Sequence, residues 1–192
     1  MNPTIKVIGA GGSGSNTVSR MAKFEMLGVE LISVNTDAQA LHFSKADKKI
    51  LIGKDITKGL GTGMDAERGK QAAEENKKEI TECLNGADMV FVTCGLGGGT
   101  GSGATPVVAE IAKSLGILTV AVVTTPFSFE GSERKKVAEE ALKNLEDKVD
   151  SSFSEFEFDA FDTFNFIFFN LPFFVVKYVF SLKINDSVSG SN

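Results

Sequence analysis

Twice in this chain a short apolar run empties directly into a glycine-rich turn. Ile5-Lys6-Val7-Ile8 leads into Gly9-Ala10-Gly11-Gly12-Ser13-Gly14-Ser15-Asn16. Further on, Met89-Val90-Phe91-Val92 leads towards Gly95-Leu96-Gly97-Gly98-Gly99-Thr100-Gly101-Ser102-Gly103. An apolar run without alternation reads as a strand covered on both faces, the state found in parallel sheets. A turn stripped of Cβ atoms then bares main-chain N–H groups, which with the dipole of a following helix can close around an anion. The second turn carries no lysine, so it is not the phosphate loop that ends in Lys and Ser/Thr. It must hold phosphate with main chain, small hydroxyls and the helix dipole.

The rest of the first 150 residues keeps the same alternation. Strands are expected at Leu31–Val34, Ile50–Ile52, Met89–Thr93 and Ile117–Thr124. Helices are expected at Asn16–Leu27, at Asp65–Leu84 as one long charged element, at Thr105–Leu115 with Pro106 in its first turn, and at Ser132–Val149. Strands separated by helices imply right-handed crossovers and a Rossmann-like, doubly wound α/β fold: a mostly parallel sheet with helices on both faces. The charges at Glu74, Glu75, Lys77, Lys78 and Glu79 read as solvated helix surface.

Composition narrows the function. A net charge of −5 argues against general attraction to nucleic acid or anionic lipid. The single histidine, His42, excludes histidine-based metal clusters and Ser-His-acid triads. Cys83 and Cys94 read as inert core thiols rather than a disulfide, and Met1–Lys6 lacks the apolar stretch of a signal peptide, so the expectation is a cytoplasmic protein.

From Ser151 the composition changes: eleven of the sixteen phenylalanines fall between Phe153 and Phe180. We expect a domain over 1–150 and a Phe-rich tail over 151–192 outside its design, such as the product of a shifted reading frame. Two alternatives stand beside it. Phe164–Leu182 is almost long enough for a membrane helix but is interrupted by Asn165, Asn170, Pro172 and Lys177. The alternation Phe164-Phe166-Phe168 would suit an edge strand.

Two chemical classes compete for the glycine turns. A dinucleotide-dependent, NAD(P)-type oxidoreductase would use the first for pyrophosphate and an acid after the second strand, near Asp37, for ribose. A nucleoside triphosphate binder would use both turns for a longer phosphate chain. The size of the second, lysine-free turn favours the latter.

Gly97–Gly103 resembles the signature of the tubulin superfamily, and the surrounding chain is similar to its FtsZ cell-division GTPases. The matching blocks come in order: Gly9–Asn16, Asn35-Thr36-Asp37-Ala38-Gln39-Ala40-Leu41, Gly59-Leu60-Gly61-Thr62-Gly63, the signature, and Thr125–Gly131 with Arg134. The resemblance implies a GTP/GDP site built from successive loops. Gly11, Gly12, Ser13 and Asn16 would approach the nucleotide from below, while Gly98, Gly99, Thr100, Gly101, Ser102 and Gly103 wrap its α- and β-phosphates, with Gly97 in the same nucleotide-binding set. Asp37, Ala38 and Gln39 would form a second loop. Gly61, Thr62, Gly63 and Met64 would form a third, beside the γ-phosphate. Glu130 and Arg134 match family positions that contact the ribose side, which is the reading preferred here, with a plain i,i+4 ion pair as the alternative. Thr100 and Ser102 could also serve as helix N-caps. Magnesium is expected to bind through phosphate oxygens, with no dedicated metal site in the chain.

The resemblance further implies self-association into a cytoplasmic polymer at the division site, with GTP hydrolysis. The family's next strand, long central helix, catalytic acidic loop and second domain find no match after Asp150. Glu155, Glu157, Asp159 and Asp162 lie in no matching pattern, so no catalytic residue is assigned. The expectation is a truncated nucleotide-binding half with weak turnover, weak guanine selectivity and deficient polymerisation, or a cap on filaments of an intact relative.

Overall fold

The computed structural model describes residues 3–155 apart from Glu25. Six strands form one sheet: β1 (Ile5–Ala10), β2 (Val29–Asn35), β3 (Lys48–Leu51), β4 (Met89–Gly95), β5 (Leu118–Thr124) and β6 (Ser151–Glu155). Their order is β3-β2-β1-β4-β5-β6, and every adjacent pair is parallel. The chain thus builds outward from β1 to β3, then returns to lay β4 on the other side of β1. That reversal places a crevice at the carboxyl ends of β1 and β4, where both glycine turns begin.

Helices cover both faces, as the pattern predicts. On one face α4 (Ala66–Glu75), α5 (Lys77–Leu84) and α6 (Gly99–Ser114) pack over Ile8, Ile32, Val34, Val90 and Val92. α7 (Ser132–Glu146) joins that face over Ala121 and Val123 through Ala138, Ala141 and Leu145. The opposite face gathers Val7, Leu31, Met89 and Phe91 against Val18 and Met21 of α1 (Gly11–Met21). Two short helices, α2 (Ala38–Phe43) and α3 (Lys54–Thr57), complete the connections.

Several boundaries differ from the sequence expectation, each for a local reason. The helix expected over Asp65–Leu84 breaks at Asn76, whose φ and ψ of −102° and 21° are not helical. The Asn76 side chain accepts from Gly53 N–H at 2.9 Å and donates to Glu79 at 3.0 Å, bonds that compete with helix continuation. α6 starts at Gly99 rather than Thr105, so the signature glycines are mostly helix. Pro106 then falls in the interior, where it has no N–H to offer the Ser102 carbonyl. Likewise α1 starts at Gly11 and gives way after Met21 to a 3-10 turn over Ala22–Phe24. β6 pairs with β5 from Val120↔Ser151 to Thr124↔Glu155, where no strand was expected, so the sheet continues past Asp150. The possible edge strand and membrane span of the Phe-rich segment lie outside the described residues. Among the described helices none is long and apolar enough to cross a membrane.

Candidate functional site

The two glycine turns abut. Gly11 sits in the left-handed region at φ +72°, and a Cβ there would lie 2.8 Å from the Gly101 nitrogen. Gly101 in turn has room for no Cβ, since one would lie 2.9 Å from the Gly95 carbonyl oxygen and 3.5 Å from that of Ala10. Two helix N-termini are therefore held side by side above β1 and β4. Neither N-cap, Ala10 for α1 or Gly98 for α6, makes a side-chain cap bond. The first-turn N–H groups of both helices remain available to an anion, and both dipoles point their positive ends there.

Above this seam lies a cleft of about 360 Å³. Of the residues singled out from the sequence, Gly12, Ser13, Thr62, Gly98, Gly99, Thr100, Gly101, Glu130 and Arg134 line it. A Cβ added at Gly12 or Gly98 would meet no heavy atom within 4 Å, so at these two points bare backbone faces open space. Among the described residues Glu130 and Arg134 are the only ionisable ones lining the cleft, and they pair at 2.6 Å between Arg134 Nη1 and Glu130 Oε2. The other Glu130 oxygen accepts from Phe127 N–H at 3.0 Å. The i,i+4 pair and the placement at the cleft are thus both present. With its two charges cancelling, the cleft relies on main-chain amides to attract an anion.

The remaining expected residues sit beneath or beside the cleft. Gly11 forms the seam. Gly97, at φ +92°, makes the corner between β4 and α6, and its N–H donates to Ser102 Oγ at 2.9 Å. Ser102 therefore ties the turn, and the N-cap position belongs to Gly98 rather than to Thr100 or Ser102. Gly103 packs against the backbone of α4, where a Cβ would collide with the Ala66 carbonyl oxygen. Asn16 is exposed on α1. The Asp37 side chain caps α2, accepting from Ala40 N–H at 2.9 Å. The Ala38 N–H donates to the Gly59 carbonyl at 3.0 Å and Gly61 N–H to the Thr36 carbonyl at 3.2 Å, which stitches the segment around Gly61 and Gly63 to the end of β2. That segment is bent tightly, with Lys58, Gly59, Gly61, Gly63 and Met64 all at positive φ.

Sequence reasoning missed part of the lining: Ala10, Gly95, Leu96 and Thr124–Phe127. Thr124 ends β5, the third strand to reach the crevice, and Thr125–Phe127 follow it inside a block already quoted for its resemblance, so the strand and the block were both available signals. Cys94 lies under the turn, where burial pushes its thiol up to about 12, and it is no nucleophile at neutral pH. Among the described residues no group of three or more His, Cys, Asp or Glu side chains is placed to hold a metal ion.

Comparison with known proteins gives consistent matches. The family model described as Tubulin/FtsZ family, GTPase domain, matches residues 4–159. Cell division protein FtsZ 1 of Pyrococcus horikoshii is 60% identical over 141 residues, which is 73% of this chain and 38% of that protein. The protein of the same name from Pyrococcus abyssi is 59% identical over 141 residues, with the same shares. The solved structure of an empty FtsZ dimer from M. jannaschii superposes with a TM-score of 0.81 at 45% identity, covering 93% of this chain and 52% of that one. A GTPγS-bound protofilament structure of CetZ2 from Haloferax volcanii gives a TM-score of 0.79 at 25% identity, covering 92% and 58%. The chain spans less than two fifths of the length of the curated relatives and about half of the solved FtsZ chain.

Proposed function

The chain belongs to the tubulin/FtsZ family, and on that footing we propose that residues 3–155 grip the phosphates of GTP or GDP. The observation that carries this is the abutment of Gly11 on Gly101 at the β1/β4 reversal, beneath an open, backbone-lined cleft. N–H groups of Gly98, Gly99, Thr100 and Gly101 would hold the α- and β-phosphates, with Gly12 and Ser13 below them. Thr62, on the turn that precedes α4, would meet the γ-phosphate. The paired Glu130 and Arg134 at the cleft edge suit the ribose. For this Rossmann-like sheet the oxidoreductase alternative lacks its acid, because Asp37 is engaged in capping α2 and does not line the cleft. Magnesium fits only as a phosphate-bound ion here: among the described residues Glu130 is the one carboxylate lining the cleft, and both its oxygens are occupied. When bound, the ion would neutralise phosphate charge.

Hydrolysis needs an oriented water as well as a cradle. With Glu130 tied up, no acid among the described residues that line the cleft is free to orient one. We therefore propose that turnover draws on a second subunit and that the described part binds nucleotide with little hydrolysis of its own. The FtsZ dimer and the CetZ2 protofilament among the structural matches support self-association, and the relatives named cell division proteins support a division role, which we place in the cytoplasm as part of the proposal.

Thermal melting of the full chain with GTP, GDP or NADH tests the binding reading. A ligand at a hundred times its Kd stabilises by about 2.7 kcal/mol, which is a shift of roughly 5–10 °C for a domain of this size. GTP and GDP should give that shift and NADH none. A shift with NADH alone would overturn the assignment.

A further inference from the structure

Three threonine hydroxyls, from three separate segments, meet at the base of the cleft. Thr36 Oγ1, just past β2, lies 2.7 Å from Thr100 Oγ1 near the start of α6. Thr100 Oγ1 lies 3.4 Å from Thr62 Oγ1 on the turn before α4. All three residues are buried, with Thr36 wholly inaccessible. Thr100 and Thr62 line the cleft, whereas Thr36 does not.

Proton bookkeeping orients this chain. Each hydroxyl has one proton to give, and among the described residues the Thr36 hydroxyl has one partner, Thr100. Were Thr36 to accept from Thr100, its own proton would face no acceptor inside the protein. A buried unsatisfied donor is disfavoured over the arrangement that satisfies it. Thr36 therefore donates, Thr100 accepts, and the proton of Thr100 is directed outward. There it has two destinations: Thr62 Oγ1 across the long 3.4 Å gap, or an oxygen of whatever anion occupies the cleft.

Thr36 is held by its main chain as well. Its carbonyl accepts from Gly61 N–H at 3.2 Å and from Thr57 Oγ1 at 3.3 Å. One residue thus touches the turn that carries Thr62 through its carbonyl and the phosphate cradle through its hydroxyl.

We propose that Thr36 is a positioning residue of the nucleotide site: its buried hydroxyl fixes Thr100 as an acceptor on the inner side, so that Thr100 donates to a phosphate oxygen. The inference rests on the nucleotide reading above. Binding of phosphate draws the Thr100 proton away from Thr62 and frees the hydroxyl that faces it on the turn. Occupancy of the cradle is thereby felt by the Gly61–Met64 turn with no charged side chain involved.

The test uses the full 192-residue chain, with GTPγS binding measured by titration calorimetry and unliganded melting recorded alongside. Thr36→Val keeps the shape and removes the hydroxyl, while Thr36→Ser keeps the hydroxyl. Hydrogen bonds to charged groups are among the stronger ones, so Thr36→Val should weaken GTPγS binding by roughly tenfold. Thr36→Ser should stay within about twofold of the unaltered chain, because its donor is retained. Equal affinity for the unaltered chain and Thr36→Val overturns the proposal, as does equal weakening by Val and Ser, which would mean that shape matters and the proton does not. If Thr36→Val itself melts many degrees lower, Thr36→Cys, a weak donor of similar size, takes its place and should bind with intermediate affinity. Cysteine indistinguishable from threonine would then count against the proposal. Failure of the unaltered chain to bind GTPγS at all would instead remove the nucleotide reading.

Discussion

Gly11 and Gly12 are neighbours of identical chemistry in glycine-rich sequence, yet alanine at the two should act in opposite directions. At Gly11 two penalties combine. The residue sits at φ +72°, a left-handed conformation that costs an L-residue about 1–2 kcal/mol. Its Cβ would also lie 2.8 Å from the nitrogen and 3.2 Å from the Cα of Gly101, which are backbone atoms that cannot swing aside. Overpacking of this kind costs about 1–3 kcal/mol, so Gly11→Ala should lose about 2–5 kcal/mol of stability. Gly12 has no positive φ and nothing within 4 Å of the added methyl. There Gly→Ala should gain about 0.4–1 kcal/mol by restricting the unfolded chain. The chain has no tryptophan, so urea unfolding is best followed by far-ultraviolet circular dichroism. Nucleotide affinity supplies the second readout. Gly12→Ala points its methyl into the cleft and should bind GTP more weakly despite its greater stability. Coincident urea midpoints for the two variants would refute the claim that the glycine turns are pressed together.

Four further outcomes follow from the charges and one buried thiol. Lys6 is buried and donates to the carbonyls of Cys83 at 2.6 Å and Asn85 at 3.2 Å while pairing with Glu30 at 3.2 Å. Lys6→Met strands those acceptors and should lower stability by about 3 kcal/mol in urea; a loss under about 1 would contradict it. Burial raises the Glu30 pKa, but hydrogen bonds from Lys48 and Lys6 outweigh it and hold the carboxyl below the ordinary glutamate value of 4.5. A depressed folded pKa gives stability that is present above about 4.5 and lost as pH falls through the folded value, so the gap between the unaltered chain and Glu30→Gln should close in acid. For Cys94 the sign is reversed: a thiol raised from 9.0 to about 12 stabilises fully below pH 9 and less as pH climbs towards 12. Denaturation at pH 8 and pH 10 should therefore show a fall that Cys94→Ala lessens, with native Cys94 inert to iodoacetamide. Arg134→Ala should leave the melting temperature nearly unchanged, because a half-exposed i,i+4 pair is worth about 0.3–0.5 kcal/mol. It should nonetheless weaken GTP binding several-fold by calorimetry.

The layered α/β fold was legible because β1, β4 and β5 are short, mostly apolar runs without strict alternation, interrupted only by Lys6 and by threonines, and the helices between them are amphipathic. The crevice was legible too, since both glycine turns follow predicted strands. Other features left no local trace. Asn76 breaks a helix through a bond to Gly53, a partner 23 positions away. Thr36 belongs to a quoted block, but nothing local shows that its hydroxyl meets that of Thr100, 64 positions on. β6 lies in residues whose composition resembles nothing before them, and its pairing with β5 supplies the order that its own pattern lacks. Asp37 carries the right chemistry for a ribose acid at the right distance after β2, and only its capping bond removes it from the cleft.

The glycine run owes its density to two demands rather than one. Gly99 and Gly103 stand one helical turn apart on α6, and a Cβ at either would strike the backbone around Asp65–Lys70. Gly69 answers from α4, where a Cβ would lie 3.1 Å from the Thr100 Cα. Two helix backbones therefore touch along a side-chain-free strip. Gly98 and Gly12, by contrast, are bare towards open space. The helix contact also draws the start of α4, with the turn before it, over the N-terminus of α6, and so carries Thr62 into the cleft. In a loop that ends in lysine, a long cation reaches out to the phosphates. Here attraction comes from amides and dipoles, which act only at close range, so the surrounding backbone has to be brought in instead. A glycine on the buried side of α6 then serves the cradle as directly as one that faces it.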